Sequence, residues 1–126
     1  GTRWFTWRVI DNCNIALGEE LTKQANSVFL DLIRERQPDS LDAYCDVMEG
    51  NHMHICNLFV TRWEIFDAYC KWLFSFLLDA ADRIDVTGLT PKQQRVAGYF
   101  AEVMPTIWLR GQNCQIVEQP HRMIWG

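Results

Sequence analysis

The stretch TRWEIFDAYCKWLFSFLLDAAD, residues 61–82, carries the strongest structural signal in the chain. Thr61 followed three residues later by Glu64 is the capping-box pattern of a helix N-terminus. Beyond it, aromatic and aliphatic residues cover most of a helical circumference, and a helix that is apolar nearly all round belongs in a protein interior. The stretch therefore predicts one long helix, from Thr61 to about Asp82, buried at the centre of the fold.

Helical patterns also occupy most of the chain on either side of this stretch. Apolar residues recur at steps of three and four, and Gly and Pro mark the ends of the segments. The further predicted helices cover residues 3–13, 19–37, 41–49 and 91–104. The alternating pattern from His52 to Val60 predicts a buried strand instead. We therefore expect a mainly α fold with one or two short β-strands, in a single domain or fragment spanning residues 1–126.

Composition and charge exclude several classes of protein. The 126 residues are 48% hydrophobic and 22% charged, with a net charge of −4. This charge argues against nucleic-acid binding, because phosphate neutralisation requires a basic face. No apolar run approaches the roughly 20 residues of a membrane span. The five cysteines are scattered without a CxxC pair, which indicates reduced thiols in a cytosolic protein rather than a disulfide framework.

One cluster of potential metal ligands lies on the predicted strand. His52, His54 and Cys56 occupy alternate positions, so on a strand they would share one face at intervals of roughly 7 Å. Imidazole and thiolate are typical zinc ligands. The alternative is that the histidines make ordinary hydrogen bonds and Cys56 is a small core residue. A second Cys/His cluster that could supply a fourth ligand is absent from the sequence.

Glu102 is the main candidate for acid–base chemistry. It lies in VAGYFAEVM, residues 96–104, a mostly apolar stretch. A carboxyl group among apolar neighbours tends to be buried and to hold its proton more strongly, which suits general acid–base work. The alternative, a Glu on a helix surface that faces water, is the common situation for this residue type. The sequence leaves both interpretations open.

Three blocks of sequence carry a resemblance to a known family. Residues 57–74, NLFVTRWEIFDAYCKWLF, are similar to the phrase N-M-F-I-M-K-K-E-[IL]-F-D-E-Y-C-x-W-L-F. Residues 95–109, RVAGYFAEVMPTIWL, are similar to R-V-x-G-x-x-S-E-R-L-L-x-V-W-L, and residues 33–48 resemble the stretch around Y-P-E-Y-L. In order and spacing these blocks, across roughly residues 20–110, resemble a bacterial family of capsular and exopolysaccharide glycosyltransferases, formerly a domain of unknown function.

The resemblance implies a GT-A-like, Rossmann-related α/β glycosyltransferase domain, of which this chain is the C-terminal half. It implies transfer of a hexosyl unit, galactose in the better-defined cases, during synthesis of cell-surface polysaccharide in the cytoplasm. The implied partners are a nucleotide-sugar donor, a glycan acceptor and the missing N-terminal half, with membrane-surface association left open and a divalent cation allowed in the full-length enzyme. The isolated segment is expected to be inactive. A donor diphosphate needs a metal ion or a group of basic residues to bind it, and the sequence of this segment shows neither.

The resemblance also implies roles for four residues. His54 and Asn57 would lie at the end of a strand and face the donor sugar or metal. Glu102 would be the catalytic residue that holds or deprotonates an acceptor hydroxyl, and Arg95 would bind phosphate or steady Glu102. The simpler alternatives are a turn-stabilising amide for Asn57 and an ordinary surface cation for Arg95.

Two other functions remain open from the sequence. The chain is rich in Trp and in predicted helices, which also suits a helical interaction module without an active site. The less favoured alternative is a small zinc-binding domain built on His52, His54 and Cys56.

Overall fold

The computed structural model describes residues 2–4, 7–54 and 62–112, and of residues 2–4, 53 and 54 it describes only the backbone. This described part consists of helices and one pair of short strands. In chain order the elements are β1 (Thr2–Trp4), α1 (Val9–Leu17), α2 (Glu19–Arg36), a 3₁₀ turn (Pro38–Ser40), α3 (Leu41–Glu49), β2 (His52–His54), α4 (Trp63–Phe74), α5 (Leu77–Arg83), a second 3₁₀ turn (Gln93–Arg95), α6 (Val96–Ala101) and α7 (Met104–Arg110).

Helix α2 forms the centre of the fold and packs against α1, α3, α5 and α6. Its fully buried apolar residues are Ala25, Phe29, Leu32 and Ile33. The Phe29 ring stacks on Phe100 of α6, with centroids 5.1 Å apart, and meets Phe76 edge to face at 6.3 Å. Acidic residues at its N-terminus and arginines in its last turn complement the helix dipole. The sequence pattern of residues 19–37 therefore predicts this helix well.

The predicted long helix from Thr61 to Asp82 is interrupted at Ser75. The Ser75 hydroxyl donates to the Trp72 carbonyl at 2.6 Å and accepts from the Gln37 side-chain amide at 3.0 Å. The Arg36 guanidinium donates to the Ser75 carbonyl at 2.8 Å. These bonds compete with the helical hydrogen-bond ladder, so α4 ends at Phe74 and α5 begins at Leu77.

The prediction that this region is the buried centre of the fold is also wrong. One side of α4 is buried through Tyr69, Trp72 and Leu73. The opposite side exposes Trp63 and Phe74, the former to 71% and the latter to 55%. The centre is already occupied by α2, so the second apolar face of α4 has no core to enter.

The two strands correct the fold-class prediction. β1 and β2 pair antiparallel, with Thr2 opposite His54 and Trp4 opposite His52, and they form the whole sheet found in the described ranges. Helices α1, α3, α5 and α6 pack around α2, and the strand pair contacts α7 through β2. The expectation of a GT-A-like α/β domain is therefore wrong for this chain, because that fold requires a multi-stranded sheet covered by helices.

The segment before α1 also differs from its predicted structure. The helix expected over residues 3–13 is replaced by β1, and α1 begins only at Val9. The Val9 backbone N–H donates to the Gly50 carbonyl at 2.8 Å, and the Arg8 guanidinium forms ion pairs with Asp11 and Glu49. These bonds hold the start of α1 against the end of α3. The strand predicted over residues 52–60 is present for residues 52–54, and the rest lies outside the described residues.

Candidate functional site

A groove of about 600 Å³ lies where the α1–α2 junction meets the loop between α5 and α6. It is lined by Leu17, Gly18, Glu19, Glu20, Leu21, Gln24, Asp85, Thr87, Leu89 and Gln93. Gly18 joins the two helices with a φ of 91°, a left-handed conformation that favours glycine. The sharp turn at Gly18 thus brings the end of α1 and the start of α2 to one side of the groove.

The 3₁₀ turn before α6 contributes Gln93 to the groove and is tied to the end of α1. The Gln93 backbone N–H donates to the Thr90 hydroxyl, and the Thr90 backbone N–H donates to the Gln93 side-chain oxygen, both at 3.2 Å. This is a reciprocal capping box. The Gln93 side-chain amide also donates to the Leu17 carbonyl at 3.0 Å. Gln93 therefore connects the start of segment 93–102 to the end of α1.

The groove is acidic because Glu19, Glu20 and Asp85 contribute three carboxylates. The Thr87 backbone N–H donates to Asp85 at 3.0 Å and lowers the pKa of that carboxyl group. Carboxylates repel a phosphate but accept hydrogen bonds from hydroxyl groups, and the Gln24 amide can both donate and accept. The groove therefore suits a neutral, hydroxyl-rich ligand better than a nucleotide diphosphate.

Glu102 lies on the surface, immediately after α6. Of the two interpretations of its apolar context, the structure agrees with the solvent-facing one, because Val96 and Phe100 provide the buried side of α6 instead. Its negative charge nevertheless affects the pKa of a residue on α1. Burial, and to a lesser extent the negative charge of Glu102, raise the pKa of the Cys13 thiol to about 11. Glu102 therefore lies near Cys13, one turn before Leu17 along α1.

Arg95 is also exposed, at the end of the 3₁₀ turn. Seven residues separate it from Glu102, or about 10 Å along a helix. Within the described part of the chain, no ion pair joins the two side chains, so Arg95 does not steady Glu102 by direct contact. Both groups face solvent on segment 93–102, whose first residue lines the groove.

The other predicted site residues are only partly described. His54 pairs through its backbone with Thr2 in the strand pair, and His52 is half-buried. Asn57 and Cys56 lie outside the described residues, so a cleft shared by His54, Asn57 and Glu102 stays a prediction, as does the zinc face. Across residues 7–52 and 62–112, no three His, Cys, Asp or Glu side chains are grouped as metal ligands.

Comparison with known proteins gives one match. The family described as Domain of unknown function (DUF4422) matches residues 9–113. The chain belongs to this family. No curated protein and no solved structure matches it.

The DUF4422 match runs from the start of α1 to just beyond α7, so it contains the groove and all four predicted site residues. In the described part of the chain, no helix combines the length and apolar character needed to cross a bilayer.

Sequence reasoning missed the groove. The acids at residues 19 and 20 suggest only a favourable helix N-terminus, and Asp85 suggests a solvated surface residue. The available signals were the Thr90–Gln93 capping-box pattern and Gly18 between two helical patterns. They predict two sharp turns, but only the three-dimensional structure shows that the turns meet.

Proposed function

We propose that this chain is part of a nucleotide-sugar-dependent glycosyltransferase that transfers a hexosyl unit during synthesis of cell-surface polysaccharide in the cytoplasm. Within that enzyme, the chain contributes the acceptor side. The observation that carries this assignment is the acidic groove, which adjoins the segment bearing the exposed Arg95 and Glu102. The resemblance of residues 33–48, 57–74 and 95–109 to polysaccharide glycosyltransferases supports the reaction class.

The carboxylates and amide of the groove hold the acceptor glycan through its hydroxyl groups. Sugar hydroxyls both donate and accept hydrogen bonds, and Glu19, Glu20 and Gln24 offer matching groups. Glu102 accepts the proton of the attacking acceptor hydroxyl as general base. Its exposed position leaves the carboxylate open to a bound sugar.

Donor binding involves other parts of the parent protein as well as this chain. Arg95 supplies one positive charge toward the donor phosphates, and the family resemblance implies roles in donor-sugar binding for His54 and Asn57. Residues 2–4, 7–54 and 62–112 form no nucleotide-binding sheet, so we assign binding of the diphosphate chiefly to the remainder of the parent. The three groove carboxylates are not arranged as a set of metal ligands, and no step assigned to this chain passes through a metal.

The test is donor-dependent transfer by the parent protein, supplied with nucleotide hexoses and a glycan acceptor. Glu102→Gln should lower turnover by about 10²–10⁴-fold if Glu102 is the general base. Glu35→Gln is the matched control, because Glu35 is also an exposed glutamate but lies at the far end of α2. Equal activity of the two variants would contradict the role of Glu102.

The acceptor assignment can be tested on the 126-residue chain itself. A neutral hexose oligosaccharide should shift backbone amide resonances around Gly18, Gln24 and Thr87, and UDP should leave them unchanged. Gln24→Ala should weaken the sugar-induced shifts. A groove that binds UDP and ignores the oligosaccharide would contradict the acceptor role while leaving the transferase class intact.

A second candidate function rests on a different surface. Trp63 and Phe74 expose large apolar areas on one side of α4, as expected for a helical interaction module without an active site. Unchanged transfer by Glu102→Gln, together with a loss of complex formation when α4 is altered, would favour this module.

A further inference from the structure

The outward side of α4 carries an apolar stripe formed by Trp63, Phe66, Cys70 and Phe74, hereafter the outer stripe. Steps of three, four and four residues place these side chains on one helical face about 17 Å long. Trp63 is 71% exposed, Phe66 41% and Phe74 55%, while Cys70 is half-buried. The Trp63 and Phe66 rings pack together with centroids 5.9 Å apart. The outer stripe is thus an ordered apolar surface presented to solvent.

We infer that a second copy of this chain covers the outer stripe, with the two α4 helices antiparallel about a two-fold axis. The stripe has a large aromatic residue at each end and is almost palindromic about a midpoint near residue 68. An antiparallel copy sharing that midpoint places Trp63 against the partner's Phe74 and Phe66 against the partner's Cys70. Each large ring then meets an apolar residue along the whole contact, as an isologous interface requires.

The charges beside the outer stripe fit the same register. Glu64 and Lys71 are seven residues apart and lie on one flank of α4. In an antiparallel pair about a two-fold axis, identical flanks face each other, so Glu64 approaches the partner's Lys71 and the pair occurs twice. Asp67 on that flank is already balanced by Lys71 of its own chain, at 3.0 Å. In the dimer Lys71 would therefore lie between Asp67 of its own chain and Glu64 of the other copy, and this contact favours the antiparallel register.

The exposed area predicts a weak dimer. From the exposed fractions of its aromatic rings, the outer stripe presents on the order of 400 Å² per copy. The total area buried by two stripes and their charged flanks would approach roughly 1,200 Å², which is the lower limit for specific interfaces. Such a contact is compatible with a dissociation constant in the micromolar range. Acidic groups on the flank and a net charge of −4 disfavour an anionic membrane as the occupant.

Sedimentation equilibrium of the 126-residue chain tests the dimer at concentrations from about 5 to about 500 µM, which bracket this affinity range. The weight-average mass should rise from 14.8 kDa toward twice that value. Phe74→Lys should weaken association by about tenfold or more, because it places a charge within the apolar contact. The matched control is Ile15→Lys on α1, at a residue that is 64% exposed and outside the stripe. It should leave the dissociation constant unchanged.

Charge reversal and cross-linking test the antiparallel register of the two α4 helices. Glu64→Lys should weaken association about five- to tenfold by placing like charges face to face twice. Adding Lys71→Glu should recover most of that loss. A short bis-maleimide should join Cys70 of the two copies after Cys45, Cys56 and Cys114 are changed to Ser, since each Cys70 lies about 3 Å along the helix from the two-fold axis.

Three outcomes would overturn the inference. The first is a monomer at every concentration, whether the stripe then binds neutral phosphatidylcholine vesicles or nothing. The second is a dimer that Ile15→Lys weakens as much as Phe74→Lys. The third is a dimer in which Glu64→Lys and the double variant behave alike and Cys70 does not cross-link, which would exclude the antiparallel α4 pairing. The test does not depend on the proposed transferase activity.

Discussion

Helices α2 and α4 show opposite relations between composition and burial. Seven of the 18 residues of α2 are charged, yet α2 contacts four other helices and contains four fully buried apolar residues. Only three of the 12 residues of α4 are charged, yet α4 exposes Trp63, Phe66 and Phe74. A helix with a single apolar stripe can therefore occupy the centre of the fold when other helices pack around it. A second apolar face adds nothing to the core and instead creates a surface for another molecule.

The largest expected difference between the two helices concerns Phe29 and Phe74. Phe29→Ala should lower the free energy of unfolding by about 3–5 kcal/mol, because it leaves a cavity between the rings of Phe76 and Phe100. Phe74→Ala, at a residue 55% exposed, should change it by about 0.5 kcal/mol or less in dilute solution. Urea denaturation monitored by Trp fluorescence measures both. Comparable losses would contradict the central position of α2.

The two sides of α4 can be compared within one helix. Leu73 is 9% exposed, and Leu73→Ala should cost about 2–3 kcal/mol, toward the lower end of core truncations. Trp63→Ala on the exposed side should cost about 0.5 kcal/mol or less. Thermal unfolding of the two variants at low concentration checks the difference. If Trp63→Ala proves the more destabilising, the outer stripe is part of the core.

The sequence predicted the boundaries of α2 better than the role of α4, for a physical reason. Charges, Gly18 and Pro38 fix both ends and the outer side of α2, so its periodicity has one interpretation. Residues 61–82 are apolar in almost every direction, and periodicity cannot distinguish a core helix from one with an intermolecular face. The break at Ser75 depends on Arg36 and Gln37, which are distant in sequence and cannot be inferred from the local pattern.

Prediction of the candidate site from local sequence was limited in the same way. The sequence identified Glu102 and Arg95 as unusual polar residues in an apolar segment, but it could not determine their exposure. The helix predicted over residues 91–104 ends at Ala101, and Pro105 lies in the first turn of the next helix, α7. The groove depends on contacts between residues 17 and 93, which no local spacing predicts.

The break between α4 and α5 ends the helix that carries the outer stripe. Ser75→Ala removes the bond donated to the Trp72 carbonyl and leaves the Gln37 amide without its Ser75 acceptor. The free energy of unfolding should fall by about 1–2 kcal/mol. Ser27→Ala, at an exposed position of α2, is the control and should change it by less than about 0.5 kcal/mol. If denaturant unfolding gives equal values, the Ser75 bonds do not stabilise the break.

The smallest expected effect compares the buried thiol of Cys13 on α1 with the half-buried thiol of Cys70 on α4. Burial first, and the charge of Glu102 second, raise the pKa of Cys13 from an ordinary value of 9.0 to about 11. Above pH 9 the unfolded chain therefore loses this proton while the folded chain keeps it, so the free energy of unfolding falls as pH rises. At pH 10 the loss relative to pH 8 should be about 1 kcal/mol.

Urea denaturation at pH 8 and pH 10 measures this loss. Cys13→Ala should reduce the loss by about that amount, whereas Cys70→Ala should leave it unchanged because Cys13 remains in place. Glu102→Gln should reduce the loss by a smaller amount, since it removes only the secondary cause of the shift. An unchanged loss in Glu102→Gln would mean that the Glu102 carboxylate points away from α1. A loss of the same size in Cys13→Ala would assign the pH dependence to other groups, such as Tyr44 and Tyr69, because burial raises the pKa of both side chains.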